Sequence, residues 1–203
     1  MKIGMLTSGG DAPGLNAVIR AAVLKGTRVH GHEFVGFVGG YKGLCQPDIM
    51  PLTRHEVKGI SKEGGTILGT SRTNPFDYGG PDRVKEVLKE HDIDAIIAIG
   101  GEGSLAAAKE LSDTGIPIVG VPKTVDNDLN GTDFTFGFDT AVSIATEAMD
   151  RLREQVIQPL EARGLPPGIK LDVSGTADQL TKTWEQMQLD LMMALVIVYL
   201  VMA

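Results

Sequence analysis

The sequence predicts an α/β fold with a doubly wound, mainly parallel sheet. Two observations predict it. Short apolar runs alternate with segments of helical period through residues 1–154, and every glycine-rich motif follows directly on such a run. Open sheets of this kind bind ligands beyond the C-terminal ends of their strands, which is where those motifs fall.

Lys2–Thr7 reads as the first strand and Ser8–Gly14 as a loop, with Pro13 in the first turn of the helix that follows. Leu15, Val18, Ile19, Ala22 and Val23 recur at helical spacing, which carries that helix to about Thr27. Phe34–Val38 is a second strand, ended by Gly39 and Gly40. Thr53–Ser61 is polar and mixed, and Gly64–Arg72 is a glycine-rich turn region. Pro81–His91 is helical, with Val84, Val87 and Leu88 on one face. Asp94–Ile99 is a buried strand, Ile116–Val121 is another strand, and the helix Ser104–Ser112 between them takes Ser104 as its N-cap. Thr140–Glu154 is a further helix.

After Glu154 the character changes, and residues 155–203 read as an extension to the 1–154 lobe. Pro159, Gly164, Pro166, Pro167 and Gly168 break any helix, Ile169–Ser174 suits a short strand, and Ala177–Asp190 is helical. Leu191–Ala203 is an uncharged, nearly all apolar run, shorter than the about 20 residues a spanning helix needs. It reads either as a buried C-terminal helix or as a spanning helix cut off by the chain end. Membrane association follows only if that run inserts.

The 203 residues are 42% hydrophobic and 22% charged, which supports a globular core. A net charge of −7 argues against a nucleic-acid-binding surface. The single cysteine, Cys45, excludes an internal disulfide and makes a cytoplasmic setting the default. His30, His32, His55 and His91 are not spaced as a metal site. Met1–Thr7 runs straight into the glycine loop and lacks the form of a signal peptide.

Four motifs carry chemistry. In TSGGDAPGLNA (Thr7–Ala17), Gly9 and Gly10 let backbone approach a ligand, and the following helix points its N-terminal end there, which favours an anion. In GGTILGTSR (Gly64–Arg72), Arg72 can fork onto phosphate oxygens. In GGEGS (Gly100–Ser104), Glu102 is a carboxylate where anions are expected, which makes sense with Mg²⁺ between acid and phosphate. In PKTVDND (Pro122–Asp128), Lys123 offers a point charge, and Asp126 and Asp128 project to the same side of an extended loop. Taken singly, each has a plainer reading: a tight strand–helix turn, a surface arginine, a solvated loop acid, an Asx turn. Together they supply a phosphate cradle, a metal-side carboxylate and a base, the parts that phosphoryl transfer to a sugar hydroxyl requires.

Together with GGYKGL (Gly39–Leu44) and GTDFTFGFDTA (Gly131–Ala141), these motifs resemble the phosphofructokinase family in order and spacing over about residues 1–153. The resemblance implies an ATP-dependent phosphotransferase of glycolysis, a 6-phosphofructokinase acting on the 1-hydroxyl of fructose 6-phosphate. It implies Asp126 as the base that takes the hydroxyl proton, with Thr124, Val125 and Asp128 as its companions in the substrate loop. Arg72, with Thr73, matches the binder of donor phosphates, and Gly10, with Gly9, the backbone contact to the transferring group. Tyr41 sits where the family stacks adenine. Gly101, Gly103 and Ser104 line the nucleotide. Glu102 matches the Mg²⁺-side acid, where aspartate is commoner. Gly103 goes with ATP in this family, whereas Lys123 occurs in pyrophosphate users and in some ATP users. ATP is therefore the expected donor, with pyrophosphate dependence and a non-catalytic nucleotide-binding fragment as alternatives. The family is usually homo-oligomeric.

The family's second half, with its Met-Gly-Arg motif and further contacts to the sugar phosphate, has no counterpart in these residues. Pro159–Ala203, including LPPGIKLDVSG (Leu165–Gly175), resembles a piece of a resistance-nodulation-division efflux transporter. The resulting expectation is a fusion whose sugar-phosphate anchors are depleted, so that this chain alone has little or no phosphofructokinase activity.

Overall fold

The computed structural model describes residues 1–164 together with 183–184, 186–188 and 190–193. In chain order the elements are β1 (Lys2–Thr7), α1 (Leu15–His30), β2 (Glu33–Phe37), α2 (Tyr41–Cys45), β3 (Ile49–Pro51), 3-10 turns at Ile60–Lys62 and Pro75–Tyr78, α3 (Gly80–Glu90), β4 (Ala95–Gly100), α4 (Glu102–Asp113), β5 (Ile118–Thr124), β6 (Phe136–Gly137) and α5 (Phe138–Leu152). A π-helical turn at Arg153–Ile157 and α6 (Gln158–Arg163) follow. The chain divides into two compact units, Met1–Asp150 and Arg151–Ala203.

The first unit is built on a six-stranded sheet in the order β3-β2-β1-β4-β5-β6. All neighbours run parallel except β2 and β3, which are antiparallel. The expected doubly wound, mainly parallel sheet is what forms. Its strand order reverses between β1 and β4, so the loops leaving those two strands diverge and open a crevice between them. The register levels the strand ends there: Thr7 lies opposite Ile99, and Ile99 opposite Val121.

Alternation along the strands feeds two cores, one on each face of the sheet. Leu6, Ile96 and Ala98 join Tyr41 and Leu44 of α2, Val84, Val87 and Leu88 of α3, and Ala108 and Leu111 of α4. Met5 and Ile99 point the other way and join Leu15, Ile19 and Val23 of α1 with Leu52, Val57 and Leu68. The three apolar positions predicted for the Pro81–His91 helix all face the core.

Several local expectations are corrected. Pro13 does not enter the helix: Gly14 adopts φ 96°, and α1 begins only at Leu15. Ser104 is no N-cap; Gly101 takes that place, so Glu102 opens α4, where its carboxylate complements the helix dipole. β5 runs three residues further than apolar character suggested, through Pro122, Lys123 and Thr124. The cause is a partner the sequence did not reveal: β6 pairs Phe136 with Lys123 and Gly137 with Thr124. Asp126 and Asp128 are not joined by extended backbone, because Asn127 between them has φ 51°. β3 and α2 are also elements that local patterning missed.

In the second unit the described residues are helical through the π-helical turn and α6. Described positions 183, 184, 186–188 and 190–193 are helical too. No described helix is long and apolar enough to cross a membrane. The expected strand Ile169–Ser174, most of the transporter-like segment and most of the terminal apolar run lie outside the described residues.

Leu6 is fully buried at the centre of the sheet. Leu6→Ala is expected to destabilise the Met1–Asp150 unit by roughly 2–5 kcal/mol through lost transfer energy and a residual cavity. Urea unfolding followed by far-ultraviolet circular dichroism measures it, and an unchanged midpoint would contradict the packing described.

Candidate active site

The diverging loops of β1 and β4, the C-terminal end of β5 and a loop from Thr66 to Asn74 enclose one cavity of about 550 Å³. Parallel pairing continues past the strands as Ser8 N–H donates to Ile99 O at 2.9 Å. Gly100 is required by close approach: a Cβ there would lie 2.4 Å from Ser104 Cβ and 3.1 Å from Ser8 O. That contact sets the start of α4 directly against the β1 loop.

The arginine loop is not attached through the sheet; polar groups clamp it. Buried Asn16 in the first turn of α1 donates through Nδ2 to Glu63 O at 3.2 Å and Gly64 O at 3.4 Å, and accepts from Ile67 N–H at 2.8 Å. Thr7 Oγ1 donates to Gly69 O at 2.7 Å. Ser8 Oγ and Gly9 N–H both donate to Ser71 O, each at 3.2 Å. Ser71 Oγ donates to Gly39 O at 2.6 Å and lies 3.0 Å from Thr73 Oγ1. Arg72, between Ser71 and Thr73, is thereby carried to the mouth of the cavity, exposed and without an ion pair among the described residues.

The substrate loop is shaped by its own hydrogen bonds. Asp126 N–H donates to Thr124 Oγ1 at 3.1 Å. Asn127 Oδ1 accepts from Thr135 N–H at 2.9 Å, and Thr135 Oγ1 donates to Thr124 O at 2.9 Å. The turn at Asn127 still leaves Asp126 and Asp128 lining the cavity.

Every residue singled out from the sequence lines this one cavity: Gly9 and Gly10, Tyr41, Arg72 and Thr73, Gly101 to Ser104, Thr124 to Asp126, and Asp128. Tyr41 does so with 1% of its surface exposed, because its hydroxyl donates to Ser104 O at 2.8 Å and its ring sits in the core. Burial pushes its phenol up, with Cys45 adding to the shift. Burial also pushes the Cys45 thiol up, against the opposing charge of Arg83.

Sequence reasoning missed two groups. Asp11, Asn74, Phe76 and Glu110 also line the cavity. Glu110 lies two helical steps of four from Glu102 along α4, a spacing that would have flagged it. Asn16, Ser71 and Asn127 position the loops. The signal for Asn16 was a polar side chain on the apolar stripe of α1, beside Leu15 and Ile19.

Acids outnumber cations in the lining: Asp11, Glu102, Glu110, Asp126 and Asp128 against Arg72 and Lys123. A polyphosphate enters such surroundings only with a counter-cation. No described group of three or more His, Cys, Asp or Glu could hold a metal by itself. That donor set fits Mg²⁺, which is held by one or two carboxylates plus the substrate's phosphate oxygens.

The phosphofructokinase family model matches residues 2–157. A pyrophosphate–fructose 6-phosphate 1-phosphotransferase of Amycolatopsis mediterranei is 61% identical over 153 residues, covering 75% of this chain and 45% of that protein. An ATP-dependent 6-phosphofructokinase 3 of Streptomyces coelicolor is 57% identical over 154 residues, with the same shares of 75% and 45%. The solved phosphofructokinase of Saccharomyces cerevisiae superimposes with a TM-score of 0.67 at 32% identity, covering 76% of this chain and 24% of that one. The chain thus spans about 45% of the length of these curated relatives.

Two outcomes follow from the site's construction. Asn16→Ala is expected to cost about 1–3 kcal/mol and to speed amide exchange at Ile67, since buried donors and acceptors lose their partner. Unchanged exchange at Ile67 would remove Asn16 as the clamp. For Tyr41 the folded phenol holds its proton above the unfolded value of about 10, so its contribution is complete below that pH. As pH climbs further the unfolded chain releases the proton first, and stability falls by up to about 1.4 kcal/mol per pH unit. Tyr41→Phe should flatten that part of the decline in urea midpoints measured between about pH 9 and 11.

Proposed function

Because the chain belongs to the phosphofructokinase family, we propose that residues 1–154 form the donor-side lobe of a 6-phosphofructokinase that moves the γ-phosphoryl group of ATP to the 1-hydroxyl of fructose 6-phosphate. The observation that carries this reading is the convergence of Arg72, Glu102 and Asp126 on one cavity. In it, the Asp126 carboxylate accepts the hydroxyl proton as the sugar oxygen bonds to phosphorus. The bond from that phosphorus to the bridging oxygen breaks, and ADP leaves. Arg72 and Thr73 hold donor phosphates, and Gly10, with Gly9 bonded back to Ser71 beside it, offers its backbone N–H to the transferring group. Thr124, Val125 and Asp128 shape the acceptor side. Glu102 would hold Mg²⁺, which would supply charge to offset the phosphates. A homo-oligomeric, cytoplasmic, glycolytic enzyme belongs to the same reading.

For ATP as donor, three features count. The cavity's volume of about 550 Å³ exceeds what a diphosphate alone fills, and Phe76, Ala106 and Ala107 give it an apolar stretch suited to a base. A Cβ at Gly103 would meet nothing within 4 Å, so the room it leaves is room for a ligand. The expected adenine stacking on Tyr41 is not among them, because its buried ring offers little surface. Pyrophosphate is the second reading, favoured by the 61%-identical pyrophosphate-dependent relative.

Calorimetric titration with magnesium ATP and with magnesium pyrophosphate separates the two. ATP binding is expected, weakened by at least about tenfold in Arg72→Ala, the scale of a lost charge-assisted hydrogen bond. Asp126→Asn should leave donor affinity within about twofold, as expected of a base that meets the acceptor hydroxyl and not the donor. Pyrophosphate binding without ATP binding would establish the second reading, and binding of neither would sink both.

A further inference from the structure

Lys123 is 4% exposed, and its place on β5 is pinned by pairing with Phe136. A buried ammonium group is costly without a partner. Its hydrogen-bond partner is not a carboxylate, although Lys123 also lines the cavity. The amine donates to the carbonyl of Gly10, on the far side of the β4 loop in the sheet order. Burial pulls the lysine's pKa down, while the nearby Asp11 charge pulls it up. A neutral amine still donates a hydrogen bond, so this tie does not depend on the lysine keeping its charge.

The other side of the same peptide is unspent. Gly10 and Asp11 both line the cavity, and neither backbone N–H finds an acceptor among the described residues. No cis peptide bond occurs among the described residues, so the Gly10 carbonyl and the Asp11 N–H point in opposite directions. With the carbonyl turned into the wall toward Lys123, the Asp11 N–H is turned out of it. A Cβ at Gly10 would meet nothing within 4 Å, so the space beside Gly10 is open.

We infer that Lys123 is a positioning residue: by holding the Gly10 carbonyl, its amine orients the Gly10–Asp11 peptide so that its N–H faces a donor phosphate. This rests on the phosphotransferase reading above and replaces the point charge expected of Lys123 with a backbone strap. The phosphate contact is then made by main chain, and β5 and the β1 loop are tied across the crevice where the ligand lies.

The test uses amide resonances of the full chain, titrated with magnesium pyrophosphate, in the wild type, Lys123→Met and Lys123→Gln. Gln keeps a donor without charge; Met keeps length without a donor. In the wild type, the amides of Gly10 and Asp11 and those of Gly101 and Gly103 should all shift on titration. In Lys123→Met the Gly10 and Asp11 responses should vanish while Gly101 and Gly103 still respond, with affinity down about tenfold, the scale of one hydrogen bond. Lys123→Gln should restore part of the Gly10 and Asp11 response, and it carries the test alone if the Met variant does not fold. Full Gly10 and Asp11 responses in Lys123→Met would overturn the strap. So would equal loss at both loops in Met and Gln variants alike, the mark of a direct charge contact. A wild type in which neither loop responds to magnesium pyrophosphate, and neither responds to magnesium ATP in a parallel titration, would overturn the phosphotransferase reading itself.

Discussion

The parallel pairing of β1 with β4 is the constraint on which the cavity depends. Thr7 and Ile99 lie side by side, yet their chains depart toward opposite edges of the sheet. No helix can cover the gap between those departures, so it remains open. Gly100 then decides how tightly the gap closes at its base, since Ser104 and Ser8 occupy the space a side chain would take. The residues of GGEGS therefore serve two ends: a close approach of backbone and the presentation of Glu102 at a helix start.

Sheet topology alone would build only half of the site. Arg72 comes from a segment with no ladder to hold it, and its position rests on side-chain hydrogen bonds from Thr7, Ser8 and Asn16 and on the bond from Ser71 to Gly39. Each such bond contributes only about 1 kcal/mol net, so their value is less in stability than in direction. The same holds on the opposite wall, where Asn127 and Thr135 turn the chain so that two acids separated by a left-handed residue share one cavity. Arg72, Asp126 and Asp128 stand on loops, and neighbouring polar residues aim those loops.

The lining is acidic and its buried cation is already engaged. With Lys123 on the Gly10 carbonyl, Arg72 is left as the cavity's freely presented positive side chain. On the reading proposed above, a polyphosphate at this site would depend on backbone N–H groups, one arginine and an accompanying divalent cation, which is how a chain of net charge −7 could take an anionic ligand.

Periodicity and turn chemistry by themselves determined the alternation of strands and helices, the parallel character of the sheet, and the loops in which the chemistry sits. Those features are local: apolar period and glycine placement are written within a few residues of where they act. Tertiary structure alone decided where each element stops and what each polar residue is for. β5 extends through Lys123 only because β6 arrives to pair with it, and Lys123 is buried only because Gly10 comes within reach. Asn16 reads as an anomaly on an apolar stripe until the 63–67 segment is seen docked on it. Pairing and hydrogen bonding join residues dozens of positions apart, and their energies depend on geometry that no local window contains.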